Sequence, residues 1–106
     1  KYIRKGGGSL ITQDGIKTLS RLIKDNILGS RAVVDGKYVE SDIHKIETTE
    51  NSVKIYTYLD ETVVGRITRH EIITKDGYVF LERTDNVTKT DERGLLTMFE
   101  IIIKEG

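Results

Sequence analysis

Two Asp-Gly pairs, Asp35-Gly36 and Asp76-Gly77, constrain this chain more than any other feature. Glycine has no Cβ and aspartate tolerates the left-handed conformation, so the pair suits the positive φ angles of a tight hairpin turn. Both pairs sit inside runs where apolar and polar residues alternate, "AVVDGKYV" and "VVGRITRHEIITKDGYVFLERTDN". A period of two sends successive side chains to opposite faces of a strand. Each run therefore reads as an antiparallel hairpin. A further strand pair is read from "HKIETTENSVKIYTYL", turning at Glu50-Asn51, with Val53, Ile55 and Leu59 on one face and Tyr56 and Tyr58 on the other. Gly65, inside a strand, signals a bulge or a close backbone approach.

One helix precedes these strands. In "TQDGIKTLSRLIKDNILG", Ile16, Leu19, Leu22, Ile23 and Ile27 recur at helical spacing and form an apolar stripe. Thr12 is placed to cap its start, Asp14 lies in the first turn, and Gly29 is placed to close it in the left-handed conformation. The last strand, "LLTMFEIIIKE", is apolar on both faces: Leu95, Phe99, Ile101 and Ile103 on one, Leu96, Met98 and Ile102 on the other. Such a strand is expected to be buried on both sides, hence central, with the helix on one side and another layer or a neighbouring subunit on the other. The expected fold is α+β, mainly antiparallel sheet built from hairpins in a sandwich-like arrangement, with one N-terminal amphipathic helix packed on it.

With 106 residues the chain makes one small domain, 10–106, after a glycine-rich leader, Lys1–Ser9. "KGGGSL" is not a phosphate-binding loop, since no Lys-Ser/Thr pair follows the glycines and no buried strand precedes them. Flexible linker, expression scar and translated leader remain open for it. In the last case Lys5–Gly8 is encoded by a purine-rich ribosome-binding sequence and translation begins at Leu10 on a TTG codon. Coding DNA with no GGAGG there, or with a CTN codon at Leu10, would exclude that.

Lys plus Arg and Asp plus Glu number 17 each, so the formal net charge is zero. A protein whose main work is neutralising phosphates needs a cationic excess, so the balance argues against nucleic acid as the partner. Without cysteine there are no disulfides, thiolate metal sites or cysteine nucleophiles. No apolar run reaches the roughly 20 residues of a membrane helix. The chain reads as soluble and cytoplasmic in its host cell, with no membrane partner.

Catalytic, metal and cofactor readings find little support. His44 and His70 are the only histidines, lack HxH or HxxxH spacing, and are expected at solvated or edge positions. Asp60, Glu61, Asp91 and Glu92 fall in turns, and Ser9, Ser20, Ser30, Ser41 and Ser52 lack a nucleophile-elbow context. The expectation is no enzyme, no cofactor, no metal and no small-molecule substrate. Tyr56, Tyr58, Met98 and Ile102 are the candidate interface residues, tyrosine being a frequent anchor where subunits meet. Completion of the chain's own core is their alternative role. Arg66, Arg69 and Lys75, with His70 and the two tyrosines nearby, form an alternative nucleic-acid face, though Arg66 and Arg69 differ in parity on one strand.

Three stretches carry a resemblance. "ITQDGIKTLSRLIKDN" resembles the opening helix of small tail, baseplate and tail-fibre proteins of tailed bacteriophages. "GRITRHEIITKDGYVFLERTDNV" resembles their later Asp-Gly hairpin, and "LLTMFEIIIKE" their closing apolar strand. The resemblance covers about half the chain and leaves Ser30 to Leu59 unmatched. It implies a structural, non-enzymatic phage or prophage part that assembles with copies of itself or with other virion proteins.

Overall fold

The computed structural model describes residues 10–103; the leader Lys1–Ser9 lies outside the described residues. The chain forms helix α1 (Gln13–Asn26) and strands β1 (Ile27–Val34), β2 (Lys37–Thr48), β3 (Ser52–Leu59), β4 (Gly65–Thr74), β5 (Val79–Lys89) and β6 (Leu95–Ile102). It is an α+β fold dominated by one antiparallel sheet, in the order β5-β4-β1-β2-β3-β6.

The expected helix start is present: Thr12 Oγ1 accepts from the Gly15 N–H at 3.0 Å, and Asp14 occupies the first turn. Gly15 therefore lies in the capped turn, where its helix-propensity cost is small. The expected end is not. The helix stops at Asn26, and Ile27 is already extended with φ −84° and ψ 124°. Gly29 is no cap but a β1 residue opposite Ile73. The last-turn carbonyls find other donors: Asn26 Nδ2 bonds the Leu22 carbonyl at 2.7 Å, and the Lys75 N–H bonds the Asn26 carbonyl at 2.9 Å. With those acceptors satisfied, a left-handed glycine is unnecessary. Of the apolar stripe, Ile16 and Ile23 are buried, Leu19 is half-buried, and Leu22 remains 51% exposed.

All three turns fall where expected. Asp35 and Gly36 adopt φ of 51° and 78°, and Gly77 adopts 85°, while β2 and β3 are joined through residues 49–51. Gly65 marks a close approach. At φ 142° its missing Cβ leaves room for the Asp35 side chain and Val34, and Asp35 Oδ1 accepts from the Arg66 N–H at 2.9 Å.

The sheet curls into a nearly closed barrel rather than two separate layers. β5 and β6 are its edges, yet side chains of β4 and β5 (Ile72, Leu81) meet those of β3 and β6 (Ile55, Phe99) in one cluster. Across the remaining seam Arg83 Nη1 on β5 donates to the Met98 carbonyl on β6 at 2.7 Å. α1 lies across the barrel end formed by the β2–β3 turn and the β4–β5 hairpin, seating Ile23 and Leu19 in that cluster. A second cluster, Ala32, Val34, Leu59 and Ile67 with Val39 and Leu95, fills the opposite end.

A polar waist separates the two clusters. Every strand supplies one inward polar side chain at this level: Ser30, Ser41, Thr57, His70, Asp85 and Thr97. Ser30 and Ser41 hydroxyls bond each other at 2.6 Å. His70 is not a solvated histidine as expected; it is 2% exposed, with Nε2 at 2.9 Å from Asp85 Oδ2. Ser30 with Ser41 and His70 Nε2 with Asp85 pair across neighbouring strands, while His70 Nδ1 is buried without a hydrogen-bond partner among the described residues.

The closing strand is not central. β6 pairs with β3 alone and forms an edge of the sheet. Its inward row, Leu95, Thr97, Phe99 and Ile101, enters the barrel, whereas no described residue covers its other face. Leu96, Met98 and Ile102 are 53%, 36% and 60% exposed. The double apolarity records a buried face and an uncovered one.

Candidate interaction face on strands β3 and β6

The register of β3 on β6 assembles the candidate interface. Tyr58 lies opposite Leu96, Tyr56 opposite Met98, Lys54 opposite Glu100 and Ser52 opposite Ile102. Parity along each strand, together with the β3–β6 pairing, gathers Tyr56, Tyr58, Met98 and Ile102 on one outer face. Leu96 belongs with them; its parity with Met98 and Ile102 was the available signal.

The two tyrosines are held differently. The Tyr58 ring rests on the backbone of Gly94, where any Cβ would run into it. Its hydroxyl donates to Glu61 Oε1 at 3.4 Å. Burial of the ring and the adjacent Glu61 carboxylate push its phenol above the usual value. His44 approaches the same ring at 6.4 Å between centroids. Lys45 Nζ stands 5.0 Å over the Tyr56 ring and pairs with Glu47 at 3.1 Å. A seated aromatic ring such as Tyr58 beside an aliphatic row suits a protein contact, since little side-chain entropy remains to be lost on binding.

The alternative basic residues are not brought together with these aromatics. Arg66, Arg69 and Lys75 lie on β4 and its hairpin, while Tyr56 and Tyr58 are three strands away on β3. Arg69 Nε stands 2.9 Å from Glu71 and 3.2 Å from Glu82, and Arg69 Nη2 donates to the Tyr38 hydroxyl at 3.2 Å. Its Nε–H points squarely at neither carboxylate, so that contact is an ion pair more than a hydrogen bond. Glu71 itself is buried on the outer side, accepting from Arg31 Nε at 2.7 Å, while the Arg31 guanidinium stacks 4.0 Å over Tyr38. Arg66 donates to Asn86. Arg69 is thus paired within the chain, whereas Arg66 meets only a neutral amide and the Lys75 ammonium has no ion-pair or hydrogen-bond partner among the described residues.

His70 and Glu71 point to opposite faces, as their adjacency requires, so they form no dyad. Asp60 accepts from both the hydroxyl and the N–H of Thr62, and these bonds hold its carboxyl below the usual range. That is turn chemistry. Among the described residues no three His, Asp or Glu side chains converge as a metal ion requires, and no helix is long and apolar enough to cross a membrane. No family model, curated protein or solved structure matches the chain.

Proposed function

We propose that this protein is a non-enzymatic assembly component that works by surface complementarity through the outer face of β3 and β6. One observation carries the reading: an edge strand presents the apolar row Leu96, Met98 and Ile102 outward beside Tyr56 and Tyr58. An edge strand with an uncovered apolar face invites association, and chains that must stay single usually blunt such edges with charge. Here the only outward charge on β6 is Glu100. The likeness to phage tail and baseplate parts supplies the setting, a phage or prophage particle built in the host cytoplasm from copies of this chain or other virion proteins.

A photo-crosslinking amino acid placed at Leu96 or Ile102, with Lys37 at the far turn as control, tests the reading in producing cells. Protein adducts at the two face positions and none at the control are expected. Adducts to nucleic acid, or equal adducts at all three sites, would replace this reading with one in which the β4 arginines or another surface does the binding.

A further inference from the structure

The β3–β6 face carries an unpaired charge of each sign at its middle. Lys54 and Glu100 are cross-strand neighbours, yet among the described residues neither has an ion-pair or hydrogen-bond partner. Tyr56 and Met98, then Tyr58 and Leu96, form apolar rows on one side of them, and Ile102 lies on the other. A surface of this kind can complement itself, which is what a two-fold contact demands.

We propose that the face binds a second copy of the chain about a two-fold axis lying between the two sheets and parallel to their strands. Rotation about that axis lays β3 of one copy over β6 of the other at the same height. Lys54 then meets Glu100 of the partner subunit, Tyr56 meets Met98 of the partner subunit, and Tyr58 meets Leu96 of the partner subunit. Thioether sulfur against an aromatic ring is a favourable pairing. An axis running across the strands would stack β3 on β3, setting lysine against lysine and glutamate against glutamate, so charge selects the first arrangement. The zero formal net charge leaves no long-range repulsion between copies. Aligned stacking at about 10 Å is the ordinary geometry for two twisted sheets. The proposal rests on the reading of this face as a protein contact and specifies what covers it.

Sedimentation of the full chain over a wide concentration range tests it, using Glu100→Lys, Lys54→Glu and the double swap. The wild type should dimerise reversibly, each single variant should weaken the dimer about tenfold or more, and the double variant should recover to within about threefold. Thermal melts by circular dichroism check that all three fold; their side chains project away from the barrel. A wild-type dimer indifferent to the single changes, or not rescued by the swap, overturns the proposed axis. A monomer at every concentration overturns the second copy, while adducts at Ile102 would still report a foreign partner on the face. A dimer that also survives Leu96→Glu and Ile102→Glu overturns both this proposal and the reading beneath it.

Discussion

Replacing Gly65 by alanine should cost far more than the same change at any other hairpin or strand glycine. Gly65 sits at φ 142°, and a Cβ there would strike the Asp35 carboxylate and approach Val34 Cγ1 to 2.9 Å. The strained backbone costs about 1–3 kcal/mol. Displacing Asp35 also weakens its bond to the Arg66 N–H, adding about 1 kcal/mol. A loss of about 2–4 kcal/mol is large against the roughly 5–15 kcal/mol that stabilises such a domain, and lowers Tm by about 10–25 °C. Gly36 has φ 78° but open space around it, so its alanine variant carries only the conformational cost, about 1 kcal/mol. Gly29 has neither constraint, and its replacement should stay within about 0.5 kcal/mol. Urea unfolding followed by far-UV circular dichroism, with unchanged slopes, measures all three. If Gly65→Ala were no costlier than Gly36→Ala, the docking of the first hairpin turn onto β4 would be wrong.

Four further outcomes follow from the same contacts. Burial works to raise the Asp85 carboxyl, but the His70 bond, the Asn86 N–H and the charges of His70 and Arg83 outweigh it and hold it below the usual range. Its carboxylate therefore stabilises the fold above the unfolded value of about 4 and is lost as pH falls below that; Asp85→Asn should lower stability at neutral pH and flatten the acid limb of a pH–Tm curve. Phe99→Ala, which empties a core position shared by β3, β4 and α1, should cost about 3–5 kcal/mol in denaturant melts, whereas Ile102→Thr on the open face should cost under about 1 kcal/mol. Gly94→Ala should drive the Tyr58 ring off its seat, moving the Tyr58 and Leu96 NMR shifts while leaving the Ile23 methyls, in the cluster under α1, in place. His70→Leu leaves Asp85 without its strongest favourable partner and should cost about 1–3 kcal/mol by chemical denaturation.

What the sequence revealed was local. The Asp35-Gly36 and Asp76-Gly77 hairpins and the Glu50-Asn51 turn were legible because turn chemistry and a period of two need no knowledge of distant residues. The start of α1 was legible from Thr12 for the same reason. Its end was not, because the donors that satisfy the last carbonyls come partly from Lys75 on a remote hairpin. The place of β6 was misjudged because two apolar faces say only that both need cover, not that this chain supplies it. Its position at an edge depends on strand order, which is set by pairings across the whole chain. His70 is buried by its register opposite Ala32 and by Asp85 beyond a β5 irregularity, neither visible from one histidine beside one glutamate. The shared face of Tyr56 with Tyr58, and of Met98 with Ile102, was legible from parity along each strand; their meeting on one outer face depends on the β3–β6 pairing, which was not. The grouping of Arg66, Arg69 and Lys75 with those tyrosines failed because closeness along the chain does not make neighbouring strands.

Oxidative footprinting of the wild-type chain, read alongside its molar mass across a concentration series, tests most directly whether the β3–β6 face is where this protein assembles. As mass rises above the 12.0 kDa of one chain, Tyr56, Met98 and Leu96 should lose reactivity together, while Tyr78 at the tip of the β4–β5 hairpin keeps its own. Protection of Tyr78 with Met98 still fully reactive would contradict the account.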